Sequence, residues 1–188
     1  MMRTLFNIIK IAPFLLALGV IFISCKQEEF SKDKLYSYNG QYPDESAEDL
    51  HLTYSDSGRL SFEITTPILN KYYKNNILDC PEGIEIISYD NFGQPEAVMR
   101  ADYAINAERD MHLEAQKNVI ITNLKKGDTI KTEKIIWDKR RSRIYSDVPV
   151  RQIRADGTVY NGDGFDADER FTRYTVRNPR GEIIADDL

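Results

Sequence analysis

Cys25 follows an apolar run in the order Phe22-Ile23-Ser24-Cys25, where a thiol is placed for acylation. The stretch looks like a lipobox, in which the chain is cut before the cysteine and the cysteine takes acyl chains. Small Ser24 suits the position before the cut, whereas Phe22 is less usual than leucine three positions before the cysteine. Two or more acyl chains anchor a protein stably, and one alone does so only marginally. The other reactive side chains are scattered. His51 and His112 lie far apart, without carboxylate or cysteine partners at metal-ligand spacing, which argues against zinc. Gly-x-Ser-x-Gly and a Ser-His-Asp order are both absent. Asp163, Asp166 and Asp168 could hold calcium but lack a calcium-loop context and read as solvated turn acids. Gly162-Asp-Gly-Phe165 has no helix after it, so a tight bend or bulge fits better than a phosphate loop. Carboxylates are abundant, yet none lies in an apolar setting that would raise its pKa. Lys139, Arg140, Arg141 and Arg143 could meet anionic sugar phosphates or acidic surfaces, against the default of a solvated turn. These residues predict no enzyme, no metal and no cofactor.

The elements that hold these residues begin with a membrane segment. Arg3 and Lys10 give a positive start, and Ile11–Ile23 has the length of a signal-peptide core. As a helix it spans roughly 20 Å, short of the ~30 Å hydrocarbon layer. An uncleaved transmembrane helix over Leu5–Ser24 is the alternative, and both readings place Lys26 onward outside the cytoplasm. Residues 1–25 are therefore a lipoprotein-type signal peptide or anchor, 26–48 a polar tether and 49–188 one domain. Tyr36, Tyr38 and Tyr42 could pack on that domain. The net charge of −5, with basic and acidic residues interspersed, argues against nucleic acid. Cys80, left single once Cys25 is acylated, reads as a small buried apolar residue beside Pro81.

From Leu50 the pattern alternates with period two. Leu50, Leu52 and Tyr54 share a face. Asp56-Ser57-Gly58 reads as a turn, and Leu60, Phe62 and Ile64 share the next face before Thr65-Thr66-Pro67 breaks the strand. Ile68–Tyr73 is ambiguous. Strands are predicted at 84–89, Val98–Asn106, Met111–Ala115, Asn118–Thr122, Thr129–Asp138, Arg143–Val150, Gln152–Arg154, Thr158–Tyr160, Gly164–Asp168 and Arg170–Asn178. Helical periodicity does not persist for three turns in any window. A repeat runs through the second half. Ala101–Val119 aligns with Thr132–Val150 at an offset of 31, and a third copy starts at Gly162, offset 30. Ala104, Ile135 and Phe165 correspond, as do Leu113, Ile144 and Tyr174. Each unit is strand, charged turn, strand, with turns at Glu108-Arg-Asp110, Lys139-Arg-Arg141 and Asp168-Glu-Arg170. One unit cannot bury its apolar face alone, so the copies must stack. The predicted fold is all-β, a two-sheet roll of antiparallel strands.

In order and spacing, several stretches resemble the LptC family, within the wider class of OstA-like domains. They are Leu52-Thr-Tyr-Ser-Asp-Ser-Gly58, Pro81-Glu-Gly-Ile84, Met99-Arg-Ala-Asp-Tyr103, Thr129–Asp138, Ile144–Val150 and Tyr160-Asn-Gly-Asp-Gly-Phe165. The lipobox cysteine is a departure, since well-known relatives keep an uncleaved helix. The resemblance implies an open, twisted β-jellyroll at the periplasmic face of the inner membrane. It implies binding of the acyl chains of lipopolysaccharide taken from inner-membrane ABC transporter permeases, and transfer to a homologous periplasmic β-jellyroll by strand-edge pairing. A multi-tailed ligand needs a continuous apolar lining with charges at the rim. By alternation, the lining includes Phe62, Ile64, Ile86, Tyr103, Ile105, Leu113, Ile121, Ile135, Trp137, Ile144, Val148 and Val150, with Trp137, Phe165, Phe62 and Tyr103 able to gate it. A register slip of one residue would turn a whole row outward. The alternatives are that these residues fill a closed core, and that the protein is a docking module without a lipid groove.

Overall fold

The computed structural model describes residues 37–107 and 112–182. Cys25, Tyr36 and the turn at Glu108-Arg-Asp110 lie outside the described residues. In chain order the strands are β1 (Glu45–Asp56), β2 (Arg59–Tyr72), β3 (Ile77–Cys80), β4 (Ile84–Tyr89), β5 (Pro95–Ala101), β6 (Tyr103–Ala107) and β7 (His112–Asn123). They continue with β8 (Thr129–Asp138), β9 (Arg143–Ser146), β10 (Val150–Ile153), β11 (Val159–Gly162), β12 (Gly164–Asp168), β13 (Tyr174–Arg177) and β14 (Arg180–Glu182). Every pairing is antiparallel.

Three long strands belong to two sheets at once. The first half of β2 pairs with β4, and its second half with β3. The start of β7 pairs with β6, and its end with β5. β8 meets β10 through its start and β9 through its end. Sheet one therefore runs β2-β3-β6-β7-β8-β9-β12-β13, and sheet two runs β2-β4-β5-β7-β8-β10-β11-β14, with β1 alongside both halves of β2. The chain crosses between them along one seam, while the hairpin turns of both sheets border the opposite side, the mouth of the roll. This is the predicted all-β, two-sheet roll.

The seam is built of corners where the two-residue alternation is interrupted. In β7 the corner is Lys117-Asn118, with φ +63° and +48° and a register shift against β8. Between β5 and β6 it is Asp102, whose amide donates to Lys117 O (3.0 Å) while its carboxylate accepts from Asn118 Nδ2 (2.5 Å). The same clamp recurs between β11 and β12. There Asp163 donates to Arg177 O (3.0 Å) and accepts from Asn178 Nδ2 (3.0 Å). The predicted repeat thus corresponds to a hairpin of sheet one followed by a corner into sheet two.

Several predicted boundaries shift for the same reason. Thr65-Thr66-Pro67 does not break β2, because Pro67 stands where β2 has left β4 and has not yet met β3, so its missing N–H interrupts no ladder there. Thr66 holds this corner by donating to Gly83 O (2.8 Å). The two strands predicted at Met111–Ala115 and Asn118–Thr122 are one bulged strand, β7, whose described part starts at His112. Conversely, Val98–Asn106 divides at Asp102 and Arg143–Val150 at Asp147-Val148-Pro149. At the N-terminus β1 already starts at Glu45, and Tyr38 stacks obliquely on the fully buried Tyr72 at 5.7 Å. Part of the predicted tether is therefore folded onto the domain.

Gly162 and Gly164 form the expected tight bend. A Cβ on Gly162 would lie 2.7 Å from Arg177 O and closer still to Val176 Cγ1. Gly162→Ala is expected to cost about 1–3 kcal/mol by overpacking, read as a lower urea midpoint with an unchanged slope; an unaltered midpoint would contradict this packing.

Candidate functional site

The inner faces of the sheets are two apolar surfaces made of cross-strand rows. On sheet two a row runs Leu52, Ile64, Ile86, Met99, Ile121, Ile130, Gln152, Tyr160, each opposite the next. On sheet one a row runs Leu113, Trp137, Ile144, Ala167, Tyr174. Beside it lie Cys80, Ala104, Ala115 and Ile135. The surfaces meet at Phe62 and Trp137, whose ring centroids are 5.1 Å apart. Such a tilted pair adds about 0.5–1.5 kcal/mol beyond its buried area.

Of the predicted lining residues, Phe62, Ile86, Leu113, Ile121, Ile135, Trp137, Ile144 and Val150 are buried in this interior, and Ile64 packs against it half-buried. Tyr103 and Ile105 are not among them. Ala101 faces inward and Asp102 takes the corner, so Ala104 is the next inward residue (1% exposed) and its neighbours face outward. The alternation carried straight through from Val98 fails by one residue there. Val148 is also displaced, to the β9–β10 corner, where its amide donates to Ser146 Oγ at 3.3 Å. Phe165 is fully buried in the interior.

Met99, Ile130, Val176 and Phe171 also belong to the interior and were not singled out from the sequence. The first three lie at inward positions of predicted strands and could have been found by alternation. Phe171 stood in the predicted strand Arg170–Asn178, but that strand starts only at Tyr174, and Phe171 lies in the β12–β13 loop, Glu169–Arg173, where alternation does not set its side. Between Phe62, Ile86, Met99 and Ile121 on one side and Ile135, Trp137, Ile144 and Phe171 on the other, the free space is only about 30 Å³. That is on the order of one water. The interior is filled at this point, whereas farther along the roll a cleft of about 440 Å³ lies between Gln152, Tyr160, Tyr174 and Val176.

At the β1 end the interior lies open. Among the described residues β1 pairs only with β2, which leaves its other backbone edge without a partner strand. No described strand faces its inward row of Leu50, Leu52 and Tyr54, and Leu52 is 46% and Tyr54 60% exposed. At the far end β13 and β14 are short edges of four and three residues.

Charges keep to the rim and the outer faces. Asp166 pairs with Arg143 and Arg177 (3.7 Å from the latter's Nε), Asp163 with Arg180, and Asp168 accepts the amides of Thr172 (2.8 Å) and Arg173 (3.0 Å). In the basic turn, Arg141 reaches Asp138 at 3.3 Å and Lys139 lies over the Trp137 ring. His112 Nε2 is 3.5 Å from Asp138, a carboxylate partner that sequence spacing does not reveal. His51 contacts Thr65 Oγ1 at 3.1 Å. At the mouth, the Lys125 ammonium and the Gln94 amide pull the Asp90 carboxyl down to about 2.

The expectation that no carboxylate sits in an apolar setting is overturned at Asp79. Only 4% exposed, it stands on the outer face of sheet one opposite Asn70 and Ile105. Burial pushes its carboxyl above the ordinary range, while Asn70 draws it back. Nearby Tyr103 is pushed up to about 12, by burial first and then by Asp79. Cys80 is the small buried residue expected, its thiol raised mainly by burial.

This arrangement defines a class: an open β-roll with an apolar interior, charged rims and an unpaired strand edge. The sequence matches the family of lipopolysaccharide-assembly, LptC-related proteins over residues 13–178, and the chain belongs to that family. A search among curated proteins finds no match. The chain is thus a component of lipopolysaccharide transport, in a family of transport components, not known enzymes, associated with the periplasmic side of the inner membrane.

An acid whose folded pKa is raised is disfavoured as the carboxylate, so Asp79 lowers stability above its unfolded pKa. The penalty shrinks as pH falls through the folded value and is gone below the unfolded one. Asp79→Asn is therefore expected to raise Tm at neutral pH, with the gain closing toward the ordinary carboxylate range. Thermal melts across pH check this; a gain independent of pH would contradict it.

Proposed function

We propose that this chain binds lipopolysaccharide by its acyl chains between the two sheets and passes it along the roll without catalysis. It would receive lipid from inner-membrane ABC transporter permeases and deliver it to a homologous periplasmic β-jellyroll through strand-edge pairing. The observation that carries the reading is the continuity of the inward apolar row from the buried interior out to exposed Leu52 on an unpaired edge strand. A partner strand added along β1 would extend the same apolar surface, because main-chain bonding fixes which side chains face inward. Twelve residues of free edge are also a hazard for aggregation, which a dedicated partner would relieve.

The anchor would be either acylated Cys25 or an uncleaved N-terminal helix. The second reading, a docking module without a lipid groove, draws support from the free space of only about 30 Å³ between the sheets around Phe62 and Trp137. Both readings use the β1 edge; they differ over what enters the roll.

Photo-reactive residues at Trp137 and Ile144 are expected to form lipopolysaccharide adducts in cells. Absence of adducts at both positions in a folded protein would favour the docking module. Leu52→Glu, at a half-exposed site, is expected to change stability by no more than about 0.5 kcal/mol. It should nonetheless lower the lipopolysaccharide retained on gentle purification; unchanged retention would separate the edge row from the lipid path.

A further inference from the structure

The β12–β13 loop leaves the hairpin end of sheet one, crosses the mouth and binds to sheet two. Phe171, at its centre, is buried (1% exposed) although it belongs to no strand. Its ring stacks on Tyr174 at 4.8 Å and meets Phe165 edge-on at 6.0 Å, beside the space lined by Ile86, Met99 and Ile121. Its backbone takes φ +57°, a conformation that is strained for a bulky L residue. Its own hairpin holds it through Asp168, whose carbonyl accepts from Phe171 N (2.9 Å) and whose carboxylate accepts from Thr172 N (2.8 Å); the opposite sheet adds a long bond from Ser88 Oγ to Arg170 O (3.5 Å) and three shorter ones. Asn123 Nδ2 donates to Phe171 O (2.7 Å), Lys126 Nζ to Thr172 O (2.7 Å) and Arg170 Nη1 to Asn91 Oδ1 (3.1 Å). Two of these three latches are charged side chains at the surface.

From these contacts we infer that Phe171 is a displaceable plug, filling the place in the trough that a single alkyl chain of the ligand takes when the loop swings out. The inference rests on the lipid-binding reading above. A phenyl ring and a few methylenes present similar apolar area, so exchanging one for the other leaves the interior packed. A left-handed backbone at a bulky residue favours release, and the surface latches oppose it. Glu169 at the same opening lies beside the apolar lining while the loop is closed. With the loop in place the trough is filled around Phe171, and its release opens the roll at the mouth, not at the seam.

Trp137 is the sole tryptophan of the chain and lines this space, so its fluorescence reports entry. The full-length protein in detergent is mixed with dibromostearate, whose bromines quench on contact, and the quenching rate is followed in wild type, Phe171→Ala and a Lys126→Ala/Arg170→Ala double variant. The double variant keeps the core intact should loss of the ring prevent folding. Loss of two latches of ordinary strength is expected to speed quenching by about tenfold, with Phe171→Ala at least as fast. Equal rates in wild type and the folded variants, with quenching present in all, would overturn the plug and leave the groove standing. Absence of quenching in every protein would overturn the groove and the plug together.

Discussion

The constraint on which the structure depends is that β2, β7 and β8 each serve two sheets. A strand paired along its whole length would hold the chain in one broad sheet with both faces to solvent, and the Ile, Val and aromatic rows would have nothing to cover them. Breaking each long strand at a corner lets the halves pair with different neighbours and face each other. Burial of the two inner surfaces then rewards the loss of ladder bonds at the seam. Proline at 67, the two left-handed residues at 117 and 118, and the Asp–Asn clamps at 102/118 and 163/178 are the local devices that make those breaks.

That geometry separates a fixed side from a movable one. Along the seam, covalent connections and clamps hold the sheets together. Across the mouth they are held by side-chain packing, by the bonds of one loop and by the Tyr174 hydroxyl, which donates to Asp128 and accepts from Gln152 (3.1 Å). At the β1 end the inner row is uncovered, and at the other end the edges are only three and four residues long. A conduit for lipid tails asks for this combination: a lining that is dry when empty, a flank that can yield, and an end where the lining continues onto a partner. The charged groups follow the same division, paired with one another at the rims and on the outer faces.

Most of this architecture was legible in the sequence. Alternation placed Phe62, Ile86, Ile121, Ile135, Trp137 and Ile144 correctly in the interior, and the 31- and 30-residue offsets marked successive hairpins. The corners were not legible, because period-two reasoning assumes an unbroken strand. Asp102 is an ordinary polar residue in an alternating run, yet it resets the phase and turns Tyr103 and Ile105 outward. Pro67 looked like a strand terminator because nothing local says that it falls in a gap between partners. Asp79 and Phe171 were hidden for another reason. The burial of Asp79 depends on its place in the folded sheet, and Phe171 sits in a charged loop whose destination is set by tertiary contacts.

The central claim is that lipid tails contact the inner faces of the two sheets and no other surface. Isoleucine methyl resonances test it directly, because inner and outer residues alternate on the same strands: Ile86 and Ile87 on β4, Ile121 and Ile120 on β7, Ile135 and Ile136 on β8. On titration with lipopolysaccharide, the methyls of Ile86, Ile121 and Ile135 are expected to shift while those of Ile87, Ile120 and Ile136 hold still. Shifts confined to the outer set, or no shifts with bound lipid present, would contradict the account.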